Sequence, residues 1–368
     1  MLRSVFVLLT LVILSACAPR ASIMPPIAGA PEAQNEAVFV ATTRVFDGLD
    51  DTLARSSDLS FARYDVNVPE DRETGVISYS GRHEAPDPNK HFLVSTITPA
   101  ADSRSFGRQI AAELRTRPAA QREVVLYVHG YNNTFADGLF RIAQMRRDLD
   151  LPGVPVHYAW PSAGHPLGYA YDRDSALFAR DGLEALLTEL SRSGVREIVL
   201  IAHSMGALVT MEALRSLHLR GERSVLSKIG GVILLSPDLN IDVFRAQAAR
   251  INPLPNPFVI FTSQRDRALA VSARITGQTA RLGNLGTVED VADLAVTLID
   301  LSNVEIGEGD AFNHFTVATS PSVIRLLRRV AEVNASFEDD PNARIGLLPG
   351  TVLTLRSATQ VILAPGAP

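Results

Sequence analysis

Cysteine is nearly missing from this chain: one residue in 368. A lone thiol forbids an internal disulfide and any zinc site built on several thiolates. Aromatic residues are sparse at 6%, and neither sign of charge dominates, with 35 Lys+Arg against 40 Asp+Glu and a formal net charge of −5. Such a mildly acidic chain has no positive field for collecting phosphates, which argues against nucleic acid as a partner. What is present is 46% hydrophobic residues beside 20% charged ones. That balance supports a sizeable core and excludes wholesale disorder, a coiled coil or a collagen-like chain. The length suits one large domain with additions at its ends.

The single cysteine has a telling place. Residues 1–17 read MLRSVFVLLTLVILSAC, with positive Arg3, an apolar stretch through Leu14, then small Ser15 and Ala16 before Cys17. The stretch is short of the roughly 20 residues that span a bilayer and reads as a secretion signal covering residues 1–16. Leu14-Ser15-Ala16-Cys17 resembles the bacterial lipobox, in which the cysteine sulfur takes a diacylglycerol and becomes the first residue after cleavage. The resemblance implies a membrane anchor at Cys17. With Ala18 rather than Asp next in line, it also implies a cell-envelope lipoprotein of the outer membrane that faces the periplasm. Residues 17–36 form an Ala/Pro-rich tether without helix or strand period. The 19 residues from 18 to 36, fully extended, would reach roughly 60 Å.

From residue 37 to about 336 the pattern alternates between short β-branched runs and longer amphipathic stretches, which predicts an α/β body. Its mostly parallel sheet would be covered on both faces by crossover helices. Expected strands are Ala37–Thr42, Phe92–Thr98, Val124–His129, Val154–Trp160, Glu197–Ala202, Gly231–Leu235, Phe258–Thr262 and Val304–Ile306. Expected helices are Phe135–Leu149, Ser175–Leu190, Met205–Leu219 and Asp242–Arg250, with Leu183, Leu186, Leu187 and Leu190 on one face. Residues 50–88 read as an N-terminal elaboration of antiparallel edge strands or loop. Residues 337–368 form a C-terminal extension with a hairpin at Thr351–Leu363.

The chemistry gathers where the strand EIVLIA runs into His203-Ser204-Met205-Gly206 and a helix begins at once. A serine at the apex of a strand–turn–helix is a nucleophile elbow, whose strained backbone lifts Oγ above the sheet. Its usual string is G-x-S-x-G; Ala202 replaces the first glycine, adding one methyl. The bland reading of Ser204 is a plain helix N-cap. In this architecture the triad follows the order Ser, acid, His, which leaves His218 and His314. His218 lies on the same helix as Ser204 and cannot fold back. His314, in the loop GDAFNHF after the last strand, is free to take the serine proton. Two acids compete to orient it: Asp266 in SQRDRAL, favoured because it follows the penultimate strand, and Asp238 in SPDLN as the alternative. Asp310 would be a loop brace. The bland reading of Asp266 is a surface pair with Arg265 or Arg267. Oxyanion donors would be the backbone N–H of Met205 and, from the loop His129-Gly130-Tyr131-Asn132-Asn133, that of Tyr131.

The strings VVLYVHGYNNTF, YAWPSAG, IAHSMGALV, LSPDLNID and SQRDRAL, in this order, resemble a bacterial family of α/β-hydrolase-fold proteins. Many are lipoproteins of unknown function with an esterase- or lipase-like label. The resemblance covers roughly residues 90–335. It implies an α/β-hydrolase fold with Ser204, Asp266 and His314 on the triad positions, and it supplies no substrate. The Trp160-Pro161-Ser162 turn and the stretch through Tyr171 would either shape the acyl pocket or serve as packing and scaffold.

The leading expectation is a metal-free, cofactor-free serine hydrolase, a carboxylesterase using acyl-enzyme chemistry on a small-molecule or lipid ester. A serine peptidase or thioesterase would use the same triad. The other class is a catalytically silent, lipid-anchored envelope binding or scaffold protein. A metal-dependent hydrolase would need clustered His and acidic ligands, which the sequence does not offer.

Overall fold

The computed structural model describes residues 21–24, 26, 34–46, 51–81, 84–277, 280–304, 314–334 and 350–363. Strands β1 (Asn35–Phe46), β2 (Asp51–Asn67) and β3 (Leu93–Ala100) come first, followed by helix α1 (Ser103–Arg115). The central alternation then runs β4 (Glu123–Val128), α2 (Phe135–Leu149), β5 (Val154–Ala159), α3 (Tyr169–Arg192), β6 (Glu197–His203), α4 (Gly206–Leu219) and the short α5 (Arg223–Leu226). It continues through β7 (Ile229–Leu235), α6 (Ile241–Ala248), β8 (Phe258–Thr262), α7 (Arg267–Ile275) and β9 (Thr297–Asp300). Helices α8 (Thr316–Thr319) and α9 (Pro321–Asn334) precede a final hairpin, β10 (Gly350–Leu355) and β11 (Ala358–Leu363).

All of these strands join one sheet in the order β10-β11-β9-β8-β7-β6-β4-β5-β1-β2-β3. From β1 to β11 every neighbouring pair is parallel, while β1–β2, β2–β3 and β10–β11 are antiparallel. Parallel strands need covered faces, and both faces are covered. On one side Leu126, Leu200, Ala202 and Leu234 pack with Leu183, Leu187, Met211 and Leu214 of α3 and α4. On the other, Val125, Tyr127, Ile201 and Phe261 pack with Leu139, Phe140 and Ala143 of α2 and with Val323 of α9. Each fully buried side chain of this kind contributes roughly 1.5–3 kcal/mol.

Helix α2 has the predicted bounds because its ends are chemically marked. Thr134 and Asp137 form a reciprocal capping box, and Asp150 stops the helix in a left-handed conformation at φ 48°. Two expectations need correction. The last strand of the body is Thr297–Asp300, not Val304–Ile306; Val304 lies in the bend after it, and residues 305–306 fall outside the described residues. Thr297 and Asp300 hide the strand signal, yet this segment pairs with both β8 and β11. Helix α1 was not anticipated, although buried Phe106, Ile110 and Leu114 repeat every four residues. The antiparallel elaboration is β2 with β3. The C-terminal hairpin does more than expected, since β11 pairs in parallel with β9 and extends the sheet.

Candidate active site

Strand β6 delivers Ser204 in a left-handed backbone conformation, φ 52°. That geometry costs a serine of order 1–3 kcal/mol and persists only where the surroundings over-determine it. They do: the Ser204 N–H donates to the Leu235 carbonyl at 3.0 Å, and its carbonyl accepts from Ala207 and Asp238 N–H, both at 3.1 Å. Gly206 is required here, because a Cβ would sit 2.4 Å from the His129 carbonyl oxygen and 2.5 Å from that of Val128. Helix α4 starts at this point, and the first N–H groups of a helix have no intrahelical partner. Ala202 is fully buried in place of the usual glycine.

Asp266 caps helix α7 and faces a histidine with the same carboxylate. Its Oδ1 accepts the Leu269 N–H at 3.0 Å, and its Oδ2 lies 2.7 Å from Nδ1 of His314. With Nδ1–H donating to the acid, Nε2 of His314 is left as the acceptor. The side chain of Asp266 is wholly buried, whereas His314 keeps some exposure. Arg265 turns instead to the Ser302 carbonyl. His314 is seated on the elbow through His203, the residue before Ser204: Nε2 of His203 is 3.2 Å from the His314 carbonyl oxygen, and the two rings lie 4.8 Å apart. Phe315 stands edge-on to His203 at 4.1 Å. Burial, then the neighbouring His314, hold the His203 pKa well below the ordinary imidazole value, so it stays neutral and donates to that carbonyl.

Asp238, the alternative acid, is engaged elsewhere. Its Oδ1 accepts from Ser272 Oγ at 2.5 Å and pairs with Arg281 Nε at 3.1 Å, and its Oδ2 accepts from the Tyr169 hydroxyl at 2.9 Å. Asp310 lies outside the described residues.

The loop after β4 is pressed against the elbow. A Cβ on Gly130 would lie 2.8 Å from the Ser204 Cβ, so only glycine lets the backbone approach this closely. Beyond it, Asn132 is left-handed at φ 59°. Asn133 Oδ1 accepts the Gly130 N–H at 3.1 Å, and Asp172 Oδ2 accepts the Asn132 N–H at 3.0 Å. Asp172 also accepts from Ser162 Oγ at 2.6 Å and from the Ala163 N–H at 2.5 Å, while Ser162 Oγ accepts the Asn133 N–H at 3.2 Å. One buried carboxylate thus ties together the loop that carries Tyr131 and the turn after β5. Burial raises the Asp172 pKa against the hydrogen bonds from Ser162, Ala163 and Asn132 that lower it. Trp160 is a packing residue: it is fully buried, its ring stacks on His129 at 4.9 Å, and its Nε1 donates to the His129 carbonyl at 2.7 Å.

Residues 102–330 match the sequence model of a family described as "Alpha/beta hydrolase of unknown function (DUF900)". This chain belongs to that α/β-hydrolase family. Among solved structures, an esterase of Pyrococcus furiosus is similar at 9% identity with a TM-score of 0.30, over 89% of this chain and 98% of that one. No curated protein matches.

Three buried residues around the candidate site are not singled out by the sequence. Asp172 was passed over inside a helix rich in charges; only its place shortly after the WPSAG turn hinted at a partner there. His203 stands inside the elbow string, where an imidazole beside Ser204 is bulky enough to brace a loop. Arg281, 1% exposed and paired with Asp238, sits in a segment without helix or strand period. Nothing local announces that a buried cation will take that aspartate.

Proposed function

We propose that this α/β hydrolase is a serine carboxylesterase held at the cell envelope by a lipid on Cys17. Ser204 Oγ attacks the ester carbonyl as its proton passes to Nε2 of His314, and Asp266 holds Nδ1 and stabilises the imidazolium. The tetrahedral oxyanion is received by the N–H groups of Met205 and Tyr131. The alkoxide leaves with the proton from His314. A water then attacks the acyl-enzyme, with His314 again as base, and the carboxylic acid departs. The observation that carries this reading is the 2.7 Å contact of Asp266 with Nδ1 of His314, on a loop braced against the residue that precedes a left-handed serine. The lipobox at Leu14–Cys17 supports the envelope location. The test is hydrolysis of p-nitrophenyl esters of graded acyl length by protein starting after Cys17, beside Ser204→Ala. Turnover lost in a variant with unchanged melting supports the esterase. Silence of the folded parent across the series would overturn it.

A further inference from the structure

Ala21 and Met24, between Cys17 and the first strand, are packed on the body. Ala21 is 4% exposed and belongs to the core layer under α2, and its carbonyl accepts the Thr134 hydroxyl at 3.1 Å. Met24 Sδ accepts from Ser80 Oγ at 3.1 Å. Thr134 is the cap of α2, directly after the Gly130–Asn133 loop that presses on Ser204. Ala21 also lines a cavity of about 560 Å³ with Asn133, His203 and Phe315. Cys17 lies four positions before Ala21, a reach of about 14 Å at full extension. A lipid on Cys17 would therefore hold the rim of the candidate site, and not a distant face, at the bilayer.

That rim carries exposed apolar side chains. β1 is parallel to β5, so its end overhangs the carboxyl edge of the sheet, the edge on which the elbow stands. On the hairpin it forms with β2, Val45 is 45% exposed and Leu53 is 55% exposed; on the turn after β5, Leu167 is 86% exposed. The Tyr171 hydroxyl donates to the Leu53 carbonyl, and the Arg55 guanidinium lies 4.4 Å over the Tyr171 ring. The Arg55 guanidinium also donates to Ser175 Oγ at 2.9 Å and to the Tyr171 carbonyl at 3.2 Å, which fixes the hairpin on α3 and leaves its apolar side chains outward, a surface suited to acyl chains.

We propose that the carboxyl edge of the sheet is a bilayer-facing surface, and that the esters taken at Ser204 are those of membrane lipids. This rests on the esterase and lipid-anchor readings above. The test uses the lipidated chain in vesicles of phosphatidylethanolamine and phosphatidylglycerol. An environment-sensitive fluorophore on Leu53→Cys should shift to the blue and be quenched by brominated lipid. The same fluorophore on Leu219→Cys, at the end of α4 on the opposite edge and 57% exposed, should do neither. A vesicle-bound protein with an unshifted label at 53, or with equal shifts at both positions, overturns the proposal, as does a purified chain without lipid on Cys17. This arm reads orientation and is independent of turnover. In the second arm, 20 Gly/Ser residues inserted between Pro19 and Arg20 should lower hydrolysis of the vesicle's own phospholipid at least tenfold while p-nitrophenyl butyrate turnover stays within about twofold. Phospholipid hydrolysis unchanged by the insertion, or absent from a parent that cleaves the soluble ester, overturns the lipid substrate without touching the esterase reading. A parent silent on both substrates overturns the esterase reading and with it the lipid substrate.

Discussion

Asp238 follows β7 and Asp266 follows β8, one strand apart on the same edge of the sheet. Each comes three or four residues after the last strand residue, and each is almost fully buried, 6% and 1% exposed. Their surroundings differ completely. Arg281, Ser272 and Tyr169 occupy the Asp238 carboxylate, whereas Asp266 gives one oxygen to a helix cap and the other to His314. A carboxylate's role in this fold is decided by which distant side chain reaches it. The aspartate paired with buried Arg281 is held within the packing, and the one paired with His314 is the acid of the proposed triad.

Substitutions at the two positions should separate turnover from stability. Asp266→Asn should lower kcat of the proposed esterase by about 10³–10⁴, since the wrong histidine tautomer is then favoured, with a smaller change in melting temperature. Steady-state kinetics beside calorimetry checks this. Asp238→Asn should do the reverse: it strands the buried Arg281 charge and should cost about 3 kcal/mol of stability, while kcat at a temperature where the fold is intact changes less than about threefold. Equal kinetic losses at both positions would erase the distinction.

At the loop proposed to supply an oxyanion donor, a third buried aspartate, Asp172, acts through the backbone N–H of Asn132. Asp172→Asn replaces an acceptor of three hydrogen bonds and should loosen the loop that carries Tyr131. We expect kcat to fall about 10- to 100-fold with KM little changed, measured on the ester series. A rise in KM alone would argue against a positioning role.

The smallest effect concerns buried imidazoles outside the proposed triad. Burial pushes the pKa of His129 down to about 3 and that of His157 well below its ordinary value, and neither ring nitrogen of His157 has a hydrogen-bond partner. Both are neutral in the fold, while the unfolded chain protonates near pH 6.5. Stability from this source is therefore present above about pH 6.5 and lost as pH falls below it. The melting temperature should drop between pH 7.5 and 5, and His157→Phe should reduce that drop.

Sequence reading did best where the signal is local. The strand–turn–helix around Ser204 is written in the apolar run Ile198–Ala202, then His203-Ser204, then Met205-Gly206-Ala207, and the spacing of α2 predicts its bounds. The Asp266–His314 partnership was approached by order along the chain, a topological constraint that survives without coordinates. What stayed illegible is long-range. The Asp172 link to Asn132 spans 40 residues, and the Arg281 link to Asp238 crosses α6, β8 and α7. Strand β9 is short and polar at both ends and is defined by its neighbours rather than by its own residues. The burial of Ala21 likewise depends on Thr134, more than a hundred positions away.

The most direct test of the central claim is covalent. Protein starting after Cys17 is treated with an activated organophosphate ester such as diethyl p-nitrophenyl phosphate, and its intact mass and peptide map are read. One diethylphosphoryl group is expected, on Ser204, absent in Ser204→Ala and formed far more slowly in His314→Ala. A folded parent left unmodified, or modified at another residue, would contradict it.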